Sequence, residues 1–144
     1  VRQGCVLSPL LFNIYSEEIL NEALDSMPET GININGEWIN NIRYADDTVL
    51  ITDNEEDLQV LLNSLNASCL HYGLKINIKK TKCMVITKHP NVGINMTLNN
   101  EVVEQVQQFK YLGCLLTNQA DCGEEVKIRI GQARQAFIKM KQIL

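Results

Sequence analysis

Two adjacent carboxylates, Asp46 and Asp47, stand inside an otherwise largely apolar stretch, Ile42-Arg43-Tyr44-Ala45-Asp46-Asp47-Thr48-Val49-Leu50-Ile51. Ile42 and Tyr44 alternate before the pair, and Val49, Leu50 and Ile51 form an apolar run after it. The stretch therefore reads as strand, tight turn, strand, with the aspartates at or beside a hairpin tip. Carboxylate oxygens suit a hard divalent cation such as Mg²⁺, which completes its shell with waters and substrate phosphates, and a hairpin tip holds such a ligand rigidly. Successive side chains on a strand point to opposite faces, so one of the two is expected to be the direct ligand unless the turn twists both into one site. An exposed Asp-rich turn is the plainer reading of the same residues, because Asp is a common turn former.

The elements that must position this hairpin can be read in order. Ser8-Pro9 suits an N-cap and first helical residue. Leu11, Ile14, Tyr15, Ile19, Ala23 and Met27 then recur at helical spacing, which predicts a helix over residues 9–26. Before it, Gly4 would let the backbone approach a base or sugar, and Gln3 offers a donor and an acceptor there; taken alone, an ordinary loop feeding the helix is the plainer reading of these residues. Asn35-Gly36 between alternating residues predicts a type I′ hairpin. Leu58, Leu61, Leu62, Leu65, Cys69 and Leu70 predict a second helix over residues 55–71, capped by Asp53 or Asn54, favoured by Glu55, Glu56 and Asp57 at its N-terminal dipole, and ended by Gly73. Cys83-Met84-Val85-Ile86 reads as a buried strand. Ile94 to Leu98 and Val102 to Val106, joined at Asn99-Asn100, read as a hairpin, and Phe109-Lys110-Tyr111-Leu112-Gly113 begins a further strand. From Asp121, with Glu124 three residues on as a capping box, Val126, Ile130, Ala133, Phe137, Met140 and Leu144 form one stripe. The fold class is α+β, an antiparallel sheet with helices packed on one face.

Composition narrows the function. With 144 residues and 45% hydrophobic content, the chain can bury a real core. It starts without Met and ends inside a helical pattern, so a fragment is expected. No apolar run approaches the length of a membrane helix, and no membrane partner is expected. The five cysteines are scattered and odd in number, which argues against a disulfide framework or a zinc site. A net charge of −4 argues against binding nucleic acid over the whole surface. Local charge differs: Lys75, Lys79, Lys80, Lys82 and Lys88 form one basic stretch, and Lys127, Arg129, Arg134, Lys139 and Lys141 a second, without an acidic residue in either. Basic stretches beside an acidic centre suit a polyanion held at a metal site, and a solvated helix face is the alternative for the second. On helical spacing, Lys127 and Arg134 share a face and are favoured over Arg129 as backbone contacts.

Taken together, four stretches resemble the reverse transcriptase family, specifically the type encoded by non-LTR (LINE-like) retrotransposons. Arg2-Gln3-Gly4-Cys5-Val6-Leu7-Ser8-Pro9-Leu10-Leu11-Phe12-Asn13 resembles motif B and Tyr44-Ala45-Asp46-Asp47 motif C. Gly73-Leu74-Lys75-Ile76-Asn77 through Lys80-Thr81 resembles motif D, and Phe109-Lys110-Tyr111-Leu112-Gly113 motif E. The resemblance implies a right-hand polymerase palm over residues 1–117 and the start of a thumb helix over 118–144. It implies RNA-directed DNA synthesis by two metal ions, Mg²⁺ or alternatively Mn²⁺, with Asp46 and Asp47 as catalytic and metal-binding residues. Gln3, Gly4, Tyr44 and Ala45 would lie against template and incoming nucleotide, and Lys80, or less directly Lys82, near the triphosphate. Tyr111, Leu112 and Gly113 would grip the primer. Implied partners are an RNA template, a DNA primer, deoxynucleoside triphosphates and the rest of a polyprotein carrying motif A, fingers and an endonuclease domain, in a cytoplasmic and nuclear ribonucleoprotein. Because motif A would supply the other essential carboxylate, the chain alone is expected to be inactive. A group II intron or retron enzyme, or a degenerate non-catalytic palm that binds RNA or protein, are the alternatives.

Overall fold

Among the described residues, three helices flank two runs of short strands, four in the first and six in the second, and the class is α+β. The computed structural model describes residues 5–25, 27, 29–89 and 92–141. The chain divides into two compact units: one joins Val1–Thr81 with Met96–Val103, the other Lys82–Asn95 with Glu104–Leu144.

In the first unit, α1 (Ser8–Leu24) runs antiparallel to α2 (Glu55–His71). Ser64 Oγ donates to the Ala23 carbonyl at 2.8 Å, and Tyr15 Oη donates to the Tyr72 carbonyl, with the two rings edge to face at 5.6 Å. Ala23 and Leu61 are fully buried, and Ile19, Leu20, Leu62, Met96, Leu98 and Val103 complete the core. The apolar stripe expected along all of α1 is therefore covered only in its second half. Since α2 ends opposite Tyr15, Leu10, Leu11 and Ile14 lie beyond its reach and stay exposed. Nor does Ser8 cap this helix: Leu7 is the N-cap, without a side-chain bond, and Ser8 and Pro9 form the first turn. The helix ends at Leu24 with Asp25 as C-cap, short of the expected end near Ser26; Ser26 and Pro28 themselves lie outside the described residues.

Helix α2 starts and stops as its residues dictate. Asn54 Oδ1 accepts the Asp57 N–H at 2.8 Å. At the other end Gly73 takes φ 73°, and the Leu74 and Gly73 amides bond back to the Cys69 and Leu70 carbonyls at 2.7 and 3.1 Å, a Schellman closure.

The strands differ from the single sheet expected: among the described residues they form five separate two-stranded pairs. Strands β1 (Ile32–Ile34) and β2 (Glu37–Ile39) close on Asn35-Gly36 with φ 54° and 92°, matching the type I′ expectation. Strands β3 (Asn41–Tyr44) and β4 (Asp47–Leu50) pair antiparallel. The Asn99-Asn100 hairpin forms too, but only as β6 (Thr97–Leu98) and β7 (Glu101–Val102). Val103 bonds back to the Met96 carbonyl at 2.9 Å, and the next residues, β8 (Glu104–Gln105), pair parallel with β5 (Lys82–Cys83). The run Val102 to Val106 is thus split between two partners, and residues 84–86, expected to continue the strand from Cys83, carry no ladder. Two-residue turns close the four antiparallel ribbons locally, so nothing in those turns carries one ribbon onto the next.

In the second unit, β9 (Gln108–Tyr111) and β10 (Cys114–Thr117) form a tight hairpin beside α3 (Gly123–Lys141). Asp121 Oδ1 accepts the Gly123 N–H at 2.8 Å, whereas Glu124, expected to reach back in a capping box, pairs with Lys127 instead. The stripe of Val126, Ile130, Phe137 and Met140 is exposed. Leu144 lies outside the described residues. Among the described residues no helix is long and apolar enough to cross a membrane.

Candidate active site

The hairpin reading of the acidic pair is met in detail. Tyr44 opposes Asp47 across the β3–β4 ladder, leaving Ala45 and Asp46 as a two-residue turn. Ala45 takes φ 53°, a left-handed conformation that an L-residue adopts at a cost of about 1–2 kcal/mol. Asp46 thereby projects from the tip and Asp47 begins β4, both exposed. The hairpin is held at its base and again near its tip. Asn40 accepts the Ile51 amide at 2.8 Å, and Arg43 on β3 is ion-paired through Nη2 with Glu17 on α1. Nη1 of Arg43 is buried without a hydrogen-bond acceptor among the described residues.

Hard carboxylates on a braced turn match a divalent cation in donor type. In number they fall short of a full protein shell: no group of three His, Cys, Asp or Glu side chains comes together among the described residues. These residues fit a metal as part of a larger site, with other oxygens drawn from elsewhere.

The remaining expected residues divide between the two units. Lys80 lies in the first, on a turn where its amide bonds to the Asn77 carbonyl at 3.0 Å, and its side chain is exposed. Lys82 lies in the second and is committed to Glu104 at 2.5 Å, which leaves Lys80 the more available ammonium. Tyr111, Leu112 and Gly113 also lie in the second unit. Tyr111 opposes Cys114, so Leu112 and Gly113 are the turn, with φ 48° and 82°. Gln3 and Gly4 lie outside the described residues.

Arg129, which spacing ranked low, and Glu125, which the sequence reading did not single out, support this second turn. Glu125 Oε2 accepts the Leu115 amide at 2.7 Å while its Oε1 takes the Arg129 Nε at 2.6 Å, and Arg129 Nη2 reaches the Gly113 carbonyl at 2.8 Å. The Leu115 N–H, followed by the Arg129 guanidinium, holds the Glu125 carboxyl below the usual carboxylate range. The signal in the sequence was the Glu-to-Arg spacing of four on one helix.

Residues 1–116 match the family described as reverse transcriptase (RNA-dependent DNA polymerase). The chain belongs to the reverse transcriptase family. It is 31% identical over 141 residues to the Pol polyprotein of the type-1 retrotransposable element R2 of Nasonia vitripennis, covering 90% of this chain and 13% of that protein. Against the R2 Pol polyprotein of Popillia japonica identity is 33% over 121 residues, 78% of this chain and 17% of the relative. A probable RNA-directed DNA polymerase from transposon BS of Drosophila melanogaster is 25% identical over 145 residues, 99% of this chain and 16% of the relative. This reverse transcriptase chain thus resembles polymerases of non-LTR retrotransposons and spans less than a fifth of their length.

Proposed function

We propose that this chain is the motif B to E portion of a retrotransposon RNA-directed DNA polymerase, with a palm over residues 1–117 and the start of a thumb over 118–144. The observation that carries the reading is the braced Tyr44-Ala45-Asp46-Asp47 hairpin with Asp46 at its exposed tip, in a chain of this family. Asp46 would hold a divalent cation, with Asp47 beside it at the start of β4. Two such cations would supply the chemistry, one activating the primer 3′-hydroxyl and the other neutralising the departing pyrophosphate. The chain's own residues orient the reactants. Lys80 offers an unburied ammonium to the triphosphate, Tyr44 and Ala45 flank the tip toward the nucleotide, and the Tyr111-Leu112-Gly113 turn meets the primer. Gln3 and Gly4, by the resemblance to motif B, would serve template and nucleotide. Substrates are an RNA template, a DNA primer and deoxynucleoside triphosphates.

The test is primer extension on an RNA template by the full-length polymerase carrying this chain. Asp46→Asn should lower the rate by at least about a hundredfold while primer–template affinity changes little, because the lost charge acts on the transition state. Asp47→Asn should be milder. Small, equal losses from both changes would refute Asp46 as the principal ligand. The 144-residue chain alone, whose described residues gather no third carboxylate beside the pair, should extend no primer.

A further inference from the structure

Leu112 is a bulky residue at φ 48°, half exposed at a hairpin tip. Two of the other hairpins place Asn35, Asn99 and Asn100 in the left-handed region, which Asn tolerates better than Leu, and the third places the small Ala45 there. A strained turn persists only where its surroundings over-determine it. Here the restraint comes from one helical turn of α3. Glu125, only 14% exposed, fixes the amide of Leu115 just after the turn, and Arg129 fixes the carbonyl of Gly113 within it, while the two side chains bond each other. A guanidinium can do both at once because its donors are held in a planar fork; an ammonium is a point donor.

We propose that Glu125 and Arg129 are positioning residues: they hold the Tyr111-Leu112-Gly113 turn in its strained shape so that the primer terminus meets it in register. This rests on the reading of that turn as the primer contact. It also separates Arg129 from the other cations of α3, whose charge would serve the duplex backbone directly.

Three variants of the full-length polymerase test it, Arg129→Lys, Arg129→Met and Glu125→Gln, each followed by extension rate, primer–template affinity across salt, and amide hydrogen exchange over residues 111–115. The expected result is a rate reduced roughly ten- to a hundredfold in all three, as misplacement of a reactant by about an ångström produces. Affinity should fall less than rate, the salt slope should be unchanged in Arg129→Lys, and exchange should be faster at Leu115. An Arg129→Lys enzyme with the parent rate, paired with an Arg129→Met enzyme whose salt slope flattens, would make Arg129 a phosphate contact and overturn the proposal. Unchanged exchange at residues 111–115 would overturn the restraint itself. If the parent protein extends no primer, the polymerase reading fails, and the exchange measurement still decides whether the restraint exists.

Discussion

Side chains of one type behave differently here according to what their immediate neighbours offer. Cys5 is exposed, and the Leu7 amide, with help from Ser8, favours its thiolate and lowers its pKa; Cys69 is partly buried on α2, and desolvation raises its pKa. The thiolate is the nucleophile, so at slightly alkaline pH Cys5 should be alkylated by iodoacetamide well before Cys69, and lowering the pH should slow both. Mass-spectrometric timing of the two modifications checks this, and equal rates would contradict it. The same local logic separates the two candidate lysines. Lys82 meets Glu104 through a pairing of residues far apart in the chain, which no spacing rule foretells. The Ala45-Asp46 turn was legible because its determinants are all within ten residues, whereas the left-handed Leu112 was not, since Leu carries no preference for that conformation.

Among the elements, α2 and the two-residue hairpins, closed by local chemistry, matched expectation, whereas the caps expected of α1 and α3 and the pairings that depend on distant partners did not. Helix α2 has a cap, an acidic first turn and a terminating glycine within its own sequence, and its predicted and observed bounds coincide. Removing the cap should be measurable: Asn54→Ala leaves the Asp57 amide without its acceptor and should cost about 1 kcal/mol in chemical denaturation. A change below a few tenths would mean that solvent replaces the cap. Gly31 shows the opposite dependence. At φ 127° a Cβ on it would meet the Ile39 carbonyl oxygen at 2.4 Å, a collision set by how β2 returns past it and invisible from residue 31 alone. The division of residues 102–106 between β7 and β8 has the same origin, since alternating apolar residues mark a strand without naming its partner.

For the molecule as a whole, a net charge of −4 means that any grip on nucleic acid must come from local arrangements of cations. Sequence spacing favoured Lys127 and Arg134 over Arg129 on α3. The structure alters that ranking, because Glu124 lies 2.9 Å from Lys127 and Glu125 2.6 Å from Arg129, so the first turns of the helix carry locally balanced charge. Lys127 stays fully protonated, its pKa raised by Glu124, yet that same carboxylate competes with a phosphate for it. Arg134 and Lys139 are exposed farther along, in a stretch where no acidic residue occurs. Each cation that contacts a phosphate releases counterion and contributes roughly 0.7–0.9 to the slope of log affinity against log salt. In the full-length polymerase, Arg134→Gln with Lys139→Gln should therefore flatten that slope by about one to two units, and Lys127→Gln by well under one. A titration in which Lys127→Gln flattens the slope as much as the pair would show that the duplex displaces Glu124. No change from the pair would make the far end of α3 a solvated surface.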